Sequence, residues 1–145
     1  MEINTHTQLC GLLGNPVEHS LSPAIHNAAF EKLGLNFVYL AFKVEDLPGA
    51  VKGLRSLGNL RGFSVTIPHK VAILPLLDDV EQTARNIGAV NTIVIENGRL
   101  IGSNTDASGA LRALTEAGAT LRGEKVVLLG SGGAARAIAF ALAAG

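Results

Sequence analysis

The sequence predicts an α/β fold in which helices cover a mostly parallel, twisted sheet that contains one antiparallel hairpin. Short apolar runs of strand length alternate along the chain with segments of helical periodicity, as in folds built from strand–helix units. Of the 145 residues, 48% are hydrophobic and only 4% are aromatic, which favours the aliphatic core of a parallel sheet that is buried on both faces. Asn97-Gly98, between two apolar runs, is a strong signal for a type I′ hairpin turn. A last strand and helix indicate the first βα unit of a second domain.

The first half of the chain is predicted to contain three strands and two helices. Ser22-Pro23 opens the first helix, because serine suits the N-cap and proline suits the first helical position. Gly34 suits the left-handed residue at the end of that helix. The second helix is predicted to begin at about Leu47 and to end at Gly58. The strands are predicted at residues 9–13, 37–44 and 62–67.

The second half continues the same alternation of strands and helices. Pro75 interrupts an apolar run, which favours a short helix there rather than a strand. Gly88 stops a helix, and Asp106 opens another that runs to about Ala117. The predicted elements are a short helix at 71–77, a helix at 81–87, hairpin strands at 90–95 and 99–103, a helix at 106–117, a fully buried strand at 125–129 and a helix that ends with Gly145.

Composition and charge exclude several classes of protein. Basic and acidic residues balance at 12 each, so no basic field attracts nucleic acid or an anionic membrane. Cys10 is the only cysteine, which excludes an intramolecular disulfide and favours a reducing compartment. The histidines His6, His19, His26 and His69 show no metal-ligand spacing. No apolar run approaches the roughly 18 residues of a membrane helix, and the polar N-terminus lacks a signal pattern. We therefore expect a soluble, cytoplasmic protein that binds no metal, nucleic acid or membrane.

A glycine-rich loop after the last predicted strand matches the pattern G-x-G-x-x-A. It consists of Gly130, Ser131, Gly132, Gly133, Ala134 and Ala135. The first glycine permits the tight turn, the second lets the backbone approach a pyrophosphate, and the last small residue allows close packing of helix and strand. The helix N-terminus offers free N–H groups to phosphates. The loop predicts a dinucleotide site in a Rossmann-like domain, in preference to a merely tight turn. The residue that reads the ribose 2′ position lies about 20 residues further on, beyond Gly145, so the sequence leaves NADP or NAD open.

Polar residues at four other places are candidates for a binding site. Ser20 and Ser22 are two residues apart, so in an extended loop both hydroxyls face one side and suit a carboxylate or a polyol. Ser22 is also explained as a helix cap. Lys70 follows Pro68 just past a strand end, where binding groups gather in α/β sheets, although most lysines in such places are solvated surface charges.

Asn91 and Asp106 each have a structural explanation beside the functional one. Asn91 is a polar amide within an apolar run, where it either binds a ligand or satisfies neighbouring backbone groups. Asp106 opens a predicted helix and serves there as its N-cap or first-turn acid.

Taken together, these motifs resemble shikimate dehydrogenase. They are, in order, Gly14-Asn15-Pro16, His19-Ser20-Leu21-Ser22-Pro23, Ser64-Val65-Thr66-Ile67-Pro68-His69-Lys70, Gly88-Ala89-Val90-Asn91-Thr92, Gly102-Ser103-Asn104-Thr105-Asp106 and the glycine loop. The resemblance implies NADP-dependent reduction of 3-dehydroshikimate to shikimate in chorismate and aromatic amino-acid biosynthesis. It implies a shikimate-binding domain over residues 1–104 and an incomplete start of the NADP-binding domain over residues 105–145.

The resemblance also assigns roles to single residues. It implies that Ser20 and Ser22 bind the substrate carboxylate, that Thr66, Asn91 and Asp106 contact ring hydroxyls, and that Lys70 is the catalytic lysine paired with Asp106. Ser64 belongs to the same substrate site, but the family usually has asparagine at that position. The shorter side chain leaves quinate open as an alternative substrate.

The family chain continues well past the length of this sequence. We therefore expect the polypeptide taken alone to be a weak shikimate-binding module without activity, although the parent enzyme would be active. The last helix carries Arg136 as its only charge and has no predicted packing partner. We expect it to be disordered or to be covered by self-association, for example in a homodimer.

Overall fold

Six strands form one sheet in the order β2-β1-β3-β5-β6-β4. The computed structural model describes residues 2–144; positions 1 and 145, the outer limits of the two predicted domains, lie outside the described part. The strands are β1 (Gln8–Gly14), β2 (Phe37–Lys43), β3 (Leu60–Val65), β4 (Asp79–Val80), β5 (Thr92–Glu96) and β6 (Arg99–Ser103). The helices are α1 (Ser22–Lys32), α2 (Leu47–Leu54), α3 (His69–Ala72), α4 (Gln82–Ile87), α5 (Asp106–Glu116) and α6 (Gly133–Ala144), with a 3-10 turn at Leu74–Leu76.

The strand directions confirm the predicted fold class. β1 pairs in parallel with β2 and β3, and β6 pairs in parallel with β4, whereas β5 is antiparallel to both of its neighbours. The hairpin between β5 and β6 turns at Asn97 and Gly98, which have φ values of 51° and 76°. Two consecutive positive φ values are what a type I′ turn requires, so the predicted hairpin is confirmed.

The two faces of the sheet differ in chemistry because side chains alternate along each strand. One face carries Leu13, Phe63, Val65 and Ile93, which are buried together with Val51 of α2 in the main apolar core. The other face carries Ser64 and Thr92, which stand directly opposite each other on β3 and β5. Helix α1 packs on β2 and β1. The polar face therefore stays partly open beside α1.

The predicted strand at residues 125–129 is wrong. That stretch is irregular, and the side chains of Val127 and Leu129 are 86% and 92% exposed. A strand needs a neighbour to satisfy its backbone N–H and C=O groups, and the six strands described within residues 2–144 leave this stretch unpaired. An apolar run of this kind forms a buried strand only where neighbouring strands pair with it.

The helix after the glycine loop forms, and the expectation that it has nothing to pack against is wrong. Ala137 and Ala141 are buried in a second apolar cluster with Ile87, Ala89 and Ala107. Small side chains on α6 let it lie close to α4 and α5. Self-association of this helix is untested by the structure and stays a prediction.

Some element boundaries differ from those predicted. α2 ends at Leu54 rather than at Gly58, β3 ends at Val65 rather than at residue 67, and the short edge strand Asp79–Val80 was not predicted. Gly34 and Gly88 have left-handed φ values of 65° and 71° at helix ends, as predicted for Gly34. No helix within residues 2–144 is long and apolar enough to cross a bilayer.

Candidate active site

The carboxyl ends of β1 and β3 are joined beyond their regular pairing. The Thr66 N–H donates to the Leu13 carbonyl at 2.9 Å, and the Asn15 N–H donates to the Ile67 carbonyl at 2.9 Å. Gly14 is required between them, because a Cβ there would overlap the Thr66 methyl group. This edge therefore holds Thr66 in one place at the strand ends, where α/β sheets bind ligands.

Lys70 lies in α3, immediately past this edge. A cis peptide bond precedes Pro68 and leads into α3, and the Val90 N–H donates to the Lys70 carbonyl at 2.8 Å. The Lys70 Nζ lies 2.5 Å from Oδ2 of Asp106. Because these side chains are only 16% and 27% exposed, water screens the ion pair less than it screens a surface pair. Lys70 is a paired cation at the sheet edge and not a solvated surface charge.

The second carboxylate oxygen of Asp106 is held by Asn91. The Asn91 Nδ2 donates to Oδ1 of Asp106 at 2.8 Å and to Oγ1 of Thr105 at 2.9 Å, and its Oδ1 accepts the Thr105 N–H at 2.9 Å. The structural explanation of Asn91 is confirmed, since it satisfies a backbone N–H, and Asn91 also orients Asp106. Its contact with a ligand stays a prediction. Asp106 lies in the first turn of α5, where Thr105 is the N-cap. Its carboxylate is directed to Lys70 and Asn91.

Asn104 supports Asp106 and was not predicted as a site residue. Asn104 is 9% exposed; its Oδ1 accepts the Asp106 N–H at 3.0 Å and its Nδ2 donates to the Ala89 carbonyl at 2.9 Å. The signal that could have found it was its place in Gly102-Ser103-Asn104-Thr105-Asp106, directly before a helix. Asn104 fixes the main chain on which Asp106 sits.

The two predicted serines share a cleft at the start of α1. The cleft has a volume of about 290 Å³ and is lined by Leu12, Pro16, Val17, His19, Ser20, Ser22 and Thr66. The Ser22 N–H donates to Oγ of Ser20 at 3.2 Å. The expected N-cap role of Ser22 is wrong: Leu21 occupies the N-cap position, and Ser22 is the first helical residue, whose N–H is bound by Ser20. Ser22 lines the cleft from this position.

Tyr39 brings a further hydroxyl to this region and was not predicted. Its ring stacks on His26 of α1, with centroids 4.3 Å apart and planes 7° from parallel. Its hydroxyl is buried and forms no hydrogen bond within residues 2–144. Burial raises the pKa of Tyr39, while the nearby hydroxyls of Ser64 and Ser22 act in the opposite direction. Ser64 thus lies beside a buried donor that lacks a partner.

A second cleft, of about 480 Å³, separates Lys70 from the glycine loop. Its walls comprise Thr66, Ile67, Pro68, Lys70, Val71, Leu129, Gly130, Gly132, Gly133, Ala134 and Ala135. Gly130 has a φ of 121°, a backbone conformation that favours glycine. Five of the six predicted loop residues face this cleft; Ser131 is exposed and is absent from its walls. Thr66 lines both clefts, so the serine cleft and the loop cleft meet at the end of β3.

Known proteins are similar to this sequence over nearly its whole length. The sequence model of the shikimate dehydrogenase substrate binding domain matches residues 12–93. A shikimate dehydrogenase (NADP(+)) of Moorella thermoacetica is 57% identical over 145 residues, which cover 99% of this chain and 49% of that protein. The chain spans about half the length of the curated relatives it matches.

Solved structures agree with the sequence comparison. Shikimate dehydrogenase from Aquifex aeolicus superposes with a TM-score of 0.93 at 47% identity, covering 99% of this chain and 54% of that one. Shikimate 5-dehydrogenase from Thermus thermophilus, solved in complex with NADP(H) and shikimate, superposes with a TM-score of 0.85 at 48% identity, covering 95% and 52%. With a family match over more than half of its length, the chain belongs to the shikimate dehydrogenase substrate-binding domain family.

Proposed function

We propose that this chain supplies the substrate site and the cofactor loop of an NADP-dependent shikimate dehydrogenase, which reversibly reduces 3-dehydroshikimate to shikimate. The observation that carries the proposal is the Lys70–Asp106 ion pair, in which Nζ and Oδ2 lie 2.5 Å apart beside the clefts. Residues 1–104 form the substrate domain in this proposal, and residues 105–145 begin the cofactor domain.

The serine cleft binds the carboxylate end of the substrate. Ser20 and Ser22 face the same cavity, and hydroxyl groups donate well to a carboxylate. Thr66 lies on the wall that this cavity shares with the loop cleft, so it reaches the ring between the carboxylate and the reacting carbon. Asn91 and Asp106 contact the ring hydroxyls, and Ser64 lies on the same open face.

Lys70 acts at the reacting oxygen. As hydride reaches the ketone carbon, negative charge develops on its oxygen, and a nearby ammonium stabilises that charge and donates the proton. Asp106 holds the ammonium in position through Oδ2, while Asn91 holds Asp106 through Oδ1. In the reverse direction the same groups accept the proton from the substrate hydroxyl.

The glycine loop fits a dinucleotide phosphate. The chain at Gly130 has a left-handed φ, and no atom lies within 4 Å of a Cβ built on Gly132, so the backbone there is open to a phosphate group. The cleft in front of the loop leads to Lys70. A nicotinamide dinucleotide bound there supplies the hydride. The relatives' name and the Thermus thermophilus complex support NADP.

A second candidate applies to the 145-residue polypeptide taken alone: binding of shikimate without turnover. The irregular, exposed stretch at residues 126–129 supports it, because the G-x-G loop is normally set by the strand before it. Calorimetric titration with shikimate and quinate, together with an assay of NADPH oxidation in the presence of 3-dehydroshikimate, distinguishes the two candidates. Binding accompanied by turnover rules out the second.

The proposed reaction is tested in a chimera in which residues 1–145 replace the matching half of the Moorella thermoacetica relative. We expect Lys70→Ala to lower kcat by about 10²- to 10⁴-fold. We expect Ser20→Ala with Ser22→Ala chiefly to raise KM for shikimate, since these hydroxyls contact a carboxylate that does not react.

Exposed residues of the same types provide the controls. Lys52 lies on α2 and Ser56 lies just after it, and both are away from the two clefts. Lys52→Ala and Ser56→Ala should therefore leave kcat and KM unchanged. A Lys70→Ala chimera that keeps its turnover would remove Lys70 from the mechanism. Equal losses from Lys70→Ala and Lys52→Ala would show a general defect of folding.

A further inference from the structure

The first residue of α6 packs directly on the aliphatic stem of Lys70. A Cβ built on Gly133 would lie 2.6 Å from Cβ of Lys70, 3.1 Å from its Cδ and 3.4 Å from Cβ of Ala89. Gly133 has no left-handed φ, so the requirement for glycine here is steric and not conformational. Any side chain at position 133 collides with the lysine.

Lys70 has little freedom to yield to such a collision. Its Cβ is attached to the main chain of α3, whose position is fixed by the Val90 N–H donating to the Lys70 carbonyl at 2.8 Å. The neighbouring His69 is 7% exposed, and its ring Nε2 lies 3.0 Å from the Val44 carbonyl at the end of β2. The stem of Lys70 therefore starts from a backbone anchored on two sides.

The helix is anchored as well. Ala137 and Ala141 are 0% and 3% exposed and pack with Ile87, Ala89 and Ala107. A methyl group at position 133 must either lift the start of α6 from this cluster or displace the Lys70 side chain. Because Cβ of Lys70 is fixed to the main chain, turning the lysine side chain relieves only the 3.1 Å contact at Cδ, while the contact at Cβ also forces the start of α6 to shift.

We propose that Gly133 is a positioning residue for Lys70: the bare backbone at the start of α6 forms the wall that directs the ammonium group to Asp106. This role goes beyond any contact of the loop with phosphates, because it operates on the lysine without a cofactor. The positioning role rests on the proposed function only because Lys70 is the catalytic lysine of that reaction. The start of α6 thereby sets the geometry of the substrate site.

The test is the variant Gly133→Ala of the 145-residue chain, measured by two readouts. Side-chain NMR of Lys70, through 13Cε and 15Nζ, reports whether the ammonium remains paired with Asp106. Titration with shikimate reports the substrate site. We expect the Lys70 signals to move toward those of the exposed lysines, and the affinity for shikimate to fall about tenfold, as when one charge-assisted hydrogen bond is lost.

Two matched variants separate positioning from general packing. Gly109→Ala makes the same chemical change in α5, where nothing lies within 4 Å of the added Cβ. Ala137→Gly weakens the packing of α6 without adding an atom near Lys70. Both should leave the Lys70 signals and the shikimate affinity unchanged, while Ala137→Gly lowers Tm. If Ala137→Gly displaces the Lys70 signals as far as Gly133→Ala does, the proposal is overturned.

A second measurement tests the contact between positions 133 and 70 if the Gly133→Ala chain does not fold. Lys70→Ala keeps the Cβ that lies 2.6 Å from the added methyl group, whereas Lys70→Gly removes it. The loss of Tm caused by Gly133→Ala should therefore be smaller in the Lys70→Gly background than in the Lys70→Ala background. Equal losses in the two backgrounds would refute direct contact as the cause.

The outcomes keep this inference separate from the proposed function. If the wild-type chain does not bind shikimate, the proposed substrate site fails, while the NMR signals of Lys70 still decide the role of Gly133. If the wild-type chain binds shikimate and Gly133→Ala changes neither readout, only the positioning role fails.

Discussion

Tyr39 combines a well-packed ring with a buried hydroxyl that lacks a partner. Its backbone N–H and carbonyl are both bonded to the Asn27 side chain, at 2.8 and 2.9 Å, and its ring stacks on His26. A buried donor without a partner costs about 1–3 kcal/mol of stability. A turn of the nearby Ser22 or Ser64 hydroxyl that lets it accept from Tyr39 removes this cost.

We predict that Tyr39→Phe leaves the free energy of unfolding unchanged or raises it by about 1 kcal/mol, because the ring stack stays and the unpaired hydroxyl goes. Chemical denaturation at pH 7 measures this. Tyr39→Leu, which also removes the ring, should be clearly destabilising. A Tyr39→Phe variant less stable than the wild type would show that the hydroxyl is already satisfied.

The same pair of proteins gives a pH test. Because burial raises the pKa of the folded Tyr39 above its unfolded value, the stability linked to this group is fully present below the unfolded pKa and is lost as pH rises through the folded pKa. The wild type should therefore lose stability in alkali relative to Tyr39→Phe. Parallel curves above pH 10 would contradict the raised pKa.

Single residues also show how much of the candidate site could be predicted from the sequence. Ser20 and Ser22 line one cleft, but the extended loop that their two-residue spacing assumed does not form, because Leu21 between them has helical backbone angles. The bond between Lys70 and Asp106 joins residues 36 positions apart, so spacing alone does not predict it; only the resemblance did. The catalytic and binding roles of these residues stay predictions.

Among the elements, α2 and β6 are connected through one carboxylate, that of Asp78. Asp78 Oδ2 accepts from Arg55 Nη1 at 2.5 Å and from the Leu100 N–H at 2.7 Å, and Arg55 Nη2 also donates to the Leu76 carbonyl at 2.9 Å. Asp78 thereby ties the end of α2 to the edge of the sheet. The bond from Arg55, with help from the Leu100 N–H, lowers the pKa of Asp78.

We predict that Asp78→Asn lowers Tm at pH 7 and that the difference from the wild type disappears in acid. A carboxylate whose folded pKa is lowered contributes stability that is present above the unfolded pKa and is lost as pH falls through the folded pKa. Thermal unfolding between pH 7 and pH 2 tests this. Glu96→Gln, a similar change at an exposed site, is the control for the loss of a carboxylate as such. A constant difference across that range would refute the assignment.

Elements were predictable where the signal is local. Asn97-Gly98 specifies its turn through φ values that few other residues adopt. Residues 126–129 carry the composition of a buried strand, but a strand exists only with a partner, and composition does not reveal whether one is present. The two-residue strand Asp79–Val80 is too short to show any alternation.

On the scale of the whole molecule, four consecutive apolar residues within the described residues 2–144 are exposed. Val126, Val127, Leu128 and Leu129 are 53%, 86%, 38% and 92% exposed. Contiguous apolar surface of this kind favours association, and unpaired backbone groups in an extended segment favour pairing with another chain. This segment, rather than the packed face of α6, is the surface on which self-association should depend.

We predict that the 145-residue chain sediments with a concentration-dependent molecular mass and that Val127→Asp shifts it toward the monomer. Val127 contacts neither cleft, so the variant should keep the fold and the shikimate affinity of the wild type. Sedimentation equilibrium over a hundredfold range of concentration measures the effect. A wild-type chain that stays monomeric throughout would contradict it.

Thr66 forms part of the wall of both clefts, and this shared wall has a thermodynamic consequence. A ligand that shifts Thr66 when it enters one cleft changes the free energy of binding in the other, by the same amount whichever ligand arrives first. The two affinities are then a coupled pair and not two separate constants. A substitution at Thr66 would change the coupling between them as well as either affinity alone.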